Sequence, residues 1–358
     1  MFSYYTAKTR AYLNCKRIPY VETYDGLLLN GPIKEKTHKV MIPVLQGPED
    51  EVLQDTTVIN DVLEARYPER PIFPQPPELM FITRLVEFFI DEFWITTAMN
   101  TRWNDAVSKQ FAIHEFGNVL GRSFGLEGEA AFEIGHKIAD QMQSYLPMLG
   151  IDDESNREIV DAFFRKASHA LNLAVGPQRF AFGRRPSLID CILYTGYYAH
   201  QYRDAGQAQI VMKRELPNLC YFLDQIHAGQ GVAIAGDLEM TEAFEQYLKV
   251  IGPTCASFAA ATQHAVAERL SNVNVGEVCD GVLSPYEFEL DGQKFSRGGS
   301  VFAAWKLQRV RDAYDRVGDD AREQLDQLVV NIGWAEVLAD VPSFRLDRVD
   351  HQTTLESI

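Results

Sequence analysis

Apolar side chains recur at intervals of three and four residues along much of the chain, which is the spacing of one face of an α-helix. This pattern predicts a short helix over residues 7–16 and a nearly continuous series of helices from residue 78 to about residue 227. Between them, shorter apolar runs predict extended structure at Tyr20–Tyr24 and a strand at Val40–Leu45. We therefore expect an α/β segment followed by an all-α segment.

A second strand and helix follow in the α/β segment. Val52 and Leu53 predict the strand, and the helix after it can be capped by Asp55 or by Thr56. Pro43 interrupts the earlier strand, VMIPVL, and a proline has no N–H to donate to a neighbouring strand. Pro43 must therefore lie at a sheet edge, at a bulge or in a cis turn.

Five prolines fall within residues 68–78, PERPIFPQPPE, between two helical patterns, and this density is typical of a linker. The length of 358 residues suggests two or three domains. We divide the chain into an α/β domain at residues 1–77, an all-helical domain at residues 78–230 and an extension at residues 231–358.

The extension contains one clear hairpin signal. In YEFELDGQKF, residues 286–295, apolar side chains alternate around Asp291-Gly292, a pair that favours a tight turn. Helical patterns follow at about residues 301–317 and 320–340, so the extension is predicted to be mostly helical.

One helix start in the all-helical domain is specified closely by the sequence. Ser187 and Asp190 stand three residues apart ahead of an apolar run, directly after Pro186. At this spacing each side chain can accept the other residue's free amide, so the pair predicts a capping box.

Charge and hydropathy narrow the range of functions. The chain has 34 Lys and Arg against 50 Asp and Glu, a formal charge of −16, which argues against a general nucleic-acid surface. No apolar run approaches the ~20 residues of a membrane helix, and the first residues lack the apolar core of a secretory signal. We expect a cytoplasmic protein that does not enter a membrane.

The cysteines and histidines predict neither disulfides nor a metal site. The five cysteines are spread widely with no Cys-x-x-Cys pair, and no histidine pair has the spacing of a zinc site. We expect reduced and mostly buried thiols, and no metal.

Four stretches carry a resemblance to a known family: SYYTAKTRAYLNCKRIPYVE, VMIPVL, LQDTTVINDVLEARYPERPIFP and FAFGRRPSLIDC. Over residues 1 to about 230, the chain resembles the cytosolic glutathione transferases. The resemblance implies a thioredoxin-like N-terminal domain, a helical second domain and a homodimer. It also implies glutathione as co-substrate and a small apolar electrophile as the second substrate.

The resemblance makes Ser3 the candidate catalytic residue. Ser3-x-x-Thr6 stands where a thioredoxin carries Cys-x-x-Cys, so disulfide exchange is unavailable and a hydroxyl at a helix start remains. In the family, such a serine donates a hydrogen bond to the glutathione sulfur and stabilises its thiolate. Tyr4, Tyr5 and Thr6 compete for this role.

The same resemblance implies contacts with the glutathione peptide. Ile42-Pro43 is similar to the step at which the family carries a cis proline and pairs its backbone with the cysteinyl residue, so we expect a cis bond here. Asp55 and Thr56 stand where the family holds the γ-glutamyl end, with the acid facing the ammonium group and the helix start facing the carboxylate.

The counter-charge for the glycyl carboxylate is less specified. The resemblance favours Lys39, but Lys34, Lys36 and His38 stand close enough to compete. The plain alternative is a solvated run of charges with no ligand.

A group of aromatic residues opens the all-helical domain, where the family keeps its site for the second substrate. We expect one or two of them to face a ligand and the rest to lie in the core. They are Phe88, Phe89, Phe93, Trp94 and Trp103.

The sequence departs from the family pattern in two places that bear on the predicted activity. Only Met1 and Phe2 precede Ser3, so the family's first strand is missing or the natural chain starts earlier. The extension after residue 230 has no equivalent in the core family. We predict a glutathione transferase. Conjugation, peroxidase, isomerase and lyase chemistry stay open, and the rival is a non-catalytic ligand-binding or interaction protein of the same fold.

Overall fold

The computed structural model describes residues 3–177, 179–230 and 236–357. The helices are α1 Tyr4–Lys16, α2 Gly26–Leu28, α3 Lys34–Thr37, α4 Thr56–Arg66, α5 Pro77–Phe88, α6 Ile95–Trp103, α7 Ala106–Phe116, α8 Gly128–Gln143, α9 Glu154–Ala174, α10 Leu188–Tyr197, α11 Gln207–Glu215, α12 Pro217–His227, α13 Glu242–Leu270, α14 Val301–Asp315, α15 Asp319–Asn331 and α16 Ala335–Ala339. The strands are β1 Val44–Gln46, β2 Val52–Gln54, β3 Val282–Leu290, β4 Gln293–Ser300, β5 Arg345–Val349 and β6 Gln352–Ser357. Wider, π-helical turns occupy Leu29–Ile33, Phe89–Trp94, Gly117–Gly121 and Tyr198–Tyr202, and a 3₁₀ turn occupies Pro48–Asp50.

The predicted fold class, α/β followed by all-α with a mostly helical extension, is confirmed. In the α/β part, β1 and β2 form an antiparallel pair in which Val44 faces Gln54. The strand predicted at Val40–Leu45 begins only after Pro43, because the proline nitrogen has no hydrogen to donate. Tyr20–Tyr24 pairs with no strand in the described chain, so the extended structure predicted there does not form part of a sheet.

Two predicted helix starts are present. Asp55 caps α4, where its Oδ1 accepts hydrogen bonds from the N–H groups of Thr57 and Val58 at 2.8 and 3.3 Å. The capping box at the start of α10 is formed, with the N–H of Ser187 donating to Oδ2 of Asp190 at 2.7 Å. Asp190 Oδ1 also accepts from the N–H of Ala181 at 2.8 Å, so the box ties α10 to the preceding loop.

The core of the helical part is aromatic. Phe88, Phe89, Phe93, Trp94 and Trp103 are all buried in it, with at most 4% of any side chain exposed. The expectation that one or two of them face a ligand is therefore wrong, because neighbouring helices and the extension cover that face. Burial of such rings contributes a large share of stability, since replacing one by alanine typically costs about 3–5 kcal/mol.

The extension packs against both earlier parts. Its hairpin, β3–β4, has the predicted turn at Asp291-Gly292, both with positive φ, and continues directly into α14, which lies along α5. Apolar residues of α13, α14 and β5–β6 also form a small core of their own. The main core runs without a break from Tyr4 to Val337, so the three-part division of the chain stays a prediction.

Two sequence-based expectations fall on residues that the structure does not describe. The missing first strand concerns Met1 and Phe2, and the boundary near residue 231 falls in 231–235. All five cysteines lie in the described part, where each is buried and unpaired as predicted. None of the helices within the described ranges is long and apolar enough to cross a membrane.

Candidate functional site

A cavity of about 490 Å³ lies between the α/β part and the extension. One wall comes from the first two parts of the chain: Tyr5, His38, Lys39, Met41, Ile42, Pro43, Gln54, Asp55, Thr56 and Glu92. The other wall comes entirely from the extension: Asp280, Gly281, Val282, Ser300, Phe302, Lys306, Arg348 and Gln352. Its size is within the range of about 300–1,000 Å³ that small-molecule sites occupy.

The structure brings five of the six predicted site residues together at this cavity. Lys39, Ile42, Pro43, Asp55 and Thr56 all line it. The Ile42-Pro43 peptide bond is cis, as predicted from the sequence. The roles assigned to these residues stay predictions, because their positions alone do not test them.

Thr56, the first residue of α4, leaves a free hydroxyl at this wall. The side chain is 2% exposed, and its Oγ1 has no hydrogen-bond partner within the described chain. Gln54 is equally buried: its Nε2 donates to the carbonyls of Lys39 and Met41, while its Oε1 is unpartnered. Leaving a buried polar atom unpaired costs about 1–3 kcal/mol, so these atoms are suited to meet a ligand.

Asp55 has an unusual backbone at the same point. Its φ of 77° and ψ of 130° lie where residues other than glycine are rarely found. Such a conformation costs on the order of 1–3 kcal/mol and is typical of ligand sites. It lies at the turn from β2 into α4, where the Asp55 carboxylate accepts from the N–H groups of Thr57 and Val58.

Ser3, the sixth predicted residue, does not line the cavity. It caps α1, where its Oγ accepts hydrogen bonds from the N–H and the hydroxyl of Thr6 at 3.4 and 2.9 Å. Tyr5, one of the alternatives left open by the sequence, does line the cavity and donates its hydroxyl to the carbonyl of Asp91 at 2.9 Å. Burial raises the pKa of Tyr5, so its hydroxyl stays protonated.

Lys39, the candidate partner of the glycyl carboxylate, already binds a carboxylate of the extension. Its Nζ is 3.0 Å from Oδ2 of Asp280. His38 makes a similar contact at 2.8 Å with Asp350 in the turn between β5 and β6. These side chains are partly exposed, so each pair contributes about 0–1 kcal/mol to stability. Both pairs join the α/β part of the chain to the extension.

Deeper in the protein, the buried carboxylate of Asp91 forms ion pairs with one helix of the α/β part and one helix of the extension. Oδ2 of Asp91 accepts from Lys8 of α1 at 2.5 Å and from Lys306 of α14. Lys8 also binds Glu87 at 2.8 Å, and all these side chains are at most 3% exposed. Although burial opposes its charge, Glu87 has a pKa well below its usual range because Lys8 and Arg84 lie beside it.

The cavity residues that sequence reasoning missed are those of the extension. Ser300 precedes α14 and makes no hydrogen bond to the start of its own helix. Arg348, on β5, lies with its guanidinium 5.0 Å from the ring centre of Phe302. Neither residue belongs to a recognisable sequence motif, because each lines the cavity opposite residues that are far away in the sequence. The only available signal was the resemblance between Ser300 and Ser3 as polar residues before a helix.

The chain is similar to glutathione transferases, and a family model matches its N-terminal part. Residues 1–71 match the family model of the glutathione S-transferase N-terminal domain. A solved structure of glutathione transferase GSTFuA3 from Phanerochaete chrysosporium is 18% identical, with a TM-score of 0.40 over 65% of this chain and 92% of that one. A bacterial zeta-class glutathione S-transferase, maleyl pyruvate isomerase, is 18% identical, with a TM-score of 0.30 over 68% of this chain and 92% of that one. No curated protein matches the chain.

Proposed function

Because residues 1–71 match the glutathione S-transferase N-terminal domain, we propose that the chain binds glutathione in the cavity and transfers it to an apolar electrophile. The observation that carries the proposal is the free, buried hydroxyl of Thr56 at the start of α4. A buried hydroxyl without a partner can donate a hydrogen bond to a carboxylate. The γ-glutamyl carboxylate of glutathione would accept this hydrogen bond, and Asp55, which already accepts from the N–H groups of Thr57 and Val58, would face its ammonium group.

The backbone at Ile42 supports the same proposal. Its N–H and C=O have no hydrogen-bond partner within the described chain, and the residue is 47% exposed at the cavity. A peptide can pair with such a free edge as an added strand. The cysteinyl residue of glutathione would pair with Ile42, which places its sulfur within the cavity.

The apolar part of the cavity suits the proposed electrophile. Met41, Ile42, Val282 and Phe302 line it together with Pro43. Ligand sites commonly combine such apolar walls with a few polar groups that fix orientation. An apolar body held against these side chains would lie next to the bound thiolate.

Two hydroxyls are candidates for stabilising the thiolate. The resemblance assigns the role to Ser3, whereas the position of Tyr5 at the cavity favours Tyr5. A protonated hydroxyl that donates to the sulfur lowers the pKa of the thiol. Ser3→Ala and Tyr5→Phe separate the two: the catalytic hydroxyl is the one whose loss lowers kcat while glutathione affinity is retained.

A direct test of glutathione binding uses Thr56→Val. A hydrogen bond to a charged group is worth about 1.5–3 kcal/mol, so glutathione affinity measured by calorimetry should fall by about tenfold or more. Thr9 offers a matched control, because its hydroxyl is also buried and unpartnered but lies outside the cavity. Thr9→Val should retain the wild-type affinity. Equal affinity in Thr56→Val would remove the proposed γ-glutamyl site.

A second candidate is a glutathione-binding protein without catalysis. The pairing of Lys39 with Asp280, and the position of Ser3 outside the cavity, favour it. Binding without turnover of a panel of electrophiles and peroxides would support this candidate over the transferase. Cytoplasmic location and a homodimer stay predictions. Light scattering tests the second.

A further inference from the structure

Resting on the proposed function, we propose that the extension builds a carboxylate-binding subsite in the cavity from Arg348, Ser300 and the start of α14. The carboxylate belongs either to the second substrate or to the glycyl end of glutathione. The subsite lies on the wall that the N-terminal match does not cover.

Arg348 is the cation of the cavity whose charge is least compensated. Lys39 lies 3.0 Å from Asp280, and Lys306 binds Asp91. Arg348 instead donates to two neutral oxygens, at Thr353 and His351, and its closest carboxylate in the described chain is that of Asp280 at 4.0 Å.

The guanidinium of Arg348 is also largely removed from water. Its side chain is 11% exposed, and its buried Nε has no partner within the described ranges. Burial lowers the pKa of Arg348, although Asp55 and Asp280 oppose the shift. A desolvated cation with a free donor gains free energy when an anion binds beside it.

The start of α14 adds donors on the same wall. The N–H of Val301 is taken by the carbonyl of Gly281, but those of Phe302 and Ala303 have no partner in the described chain. The hydroxyl of Ser300 is free as well, and α14 has 15 residues. A helix start with free amides and a free hydroxyl attracts a carboxylate.

A second, independent observation marks this cavity as a ligand site. Thr56 and Gln54, on the opposite wall, each present a polar atom that is unpartnered although the side chain is 2% exposed. Among the acids on the opposite wall, Asp55 caps α4 and burial raises the pKa of Glu92, and neither forms an ion pair with Arg348 in the described residues. The ring of Phe302, beside Arg348, can support the apolar body of a substrate.

The test uses glutathione with a chlorodinitrobenzoate and its neutral methyl ester. The glutathione sulfur forms a bond to the ring carbon, the carbon–chlorine bond breaks, chloride leaves with the electron pair, and the thiol proton goes to solvent. Arg348→Gln should raise KM for the acid by about tenfold or more and change KM for the ester less than about twofold. Arg348→Lys, which keeps the charge, should restore part of the loss.

One further variant is a control, and another is a second test of the subsite. Arg345 lies on β5 but outside the cavity, where it is exposed and pairs with Asp312, so Arg345→Gln should change neither KM. Ser300→Ala removes no hydrogen bond within the described chain and should still raise KM for the acid several-fold. It keeps the proposal testable if Arg348→Gln disturbs the β5–β6 turn.

A parallel arm distinguishes the source of the carboxylate. Calorimetry with glutathione and with its glycine-amide analogue shows whether Arg348→Gln weakens glutathione alone, which would assign the subsite to the glycyl end. Direct binding of the acid and the ester, without turnover, separates this proposal from the proposed function. Acid binding lost in Arg348→Gln supports the subsite even in an inactive protein. Unchanged binding of both the acid and glutathione overturns it.

Discussion

Helices α1 and α14 begin alike and differ in what their first residue contacts. Each is preceded by a serine, and each carries a buried lysine, Lys8 or Lys306, that binds Asp91. The hydroxyl oxygen of Ser3 accepts a hydrogen bond from Thr6 outside the cavity, whereas the hydroxyl of Ser300 at the cavity has no partner in the described chain. A serine before a helix therefore marks where the helix starts, and only tertiary packing decides whether it can reach a ligand.

The feature that the two helices share should give the largest effect. Asp91→Ala takes an acid away from two buried lysines, of which Lys8 keeps Glu87 as a partner, and breaking a buried pair typically costs about 3–5 kcal/mol. Chemical denaturation should show at least this loss in the free energy of unfolding. Exposed pairs provide the contrast: Asp350→Ala, which removes the contact with His38, should cost less than about 1 kcal/mol. Similar losses in both variants would refute the distinction.

Another helix that is preceded by a serine, α10, shows how much a fully formed cap contributes to stability. Asp190→Ala would leave the buried N–H groups of Ser187 and Ala181 without acceptors, and each unpaired group costs about 1–3 kcal/mol. We expect a stability loss of about 3 kcal/mol by thermal or chemical denaturation. Glutathione affinity should not change, because the box lies outside the cavity. A loss below about 0.5 kcal/mol would show that the box is not formed in solution.

Ser3→Ala should have an intermediate effect. Loss of a helix cap costs about 0.5–2 kcal/mol, so the melting temperature should fall measurably. If Ser3 acts only as a cap, kcat with glutathione should stay close to that of the wild type. A large loss of kcat at unchanged glutathione affinity would instead return the catalytic role to Ser3.

Ser300→Ala should have the smallest effect on stability. Its hydroxyl caps nothing, so the free energy of unfolding should stay within about 0.5 kcal/mol of the wild type. The same denaturation experiment on both serine variants gives the comparison directly. A loss as large as that of Ser3→Ala would mean that Ser300 caps α14 in solution.

Local signals in the sequence predicted the fold well where one segment determines its own structure. The hairpin at Asp291-Gly292, the cap at Asp55 and the box at Ser187 depend on neighbours within a few residues, and all are present. Extended structure at Tyr20–Tyr24 depended on a partner strand, which local pattern cannot supply.

The candidate site likewise has residues that the sequence predicted and residues that it could not predict. Lys39, Ile42, Pro43, Asp55 and Thr56 were found because their spacing resembles a known family. The expectation that one or two aromatic residues at the start of the all-helical domain face a ligand was wrong, because their burial depends on the extension. Arg348 and Ser300 could not be found from the sequence, since they reach the cavity through contacts that span most of the chain.

The acid shared by Lys8 and Lys306 also bears on how the chain can be divided. A fragment ending at residue 230 would keep Asp91 but lose Lys306, and it would expose the face of α5 that α14 covers. The extension is therefore part of the packed structure and cannot be removed without loss of these contacts. Its removal should destabilise the part of the chain that remains.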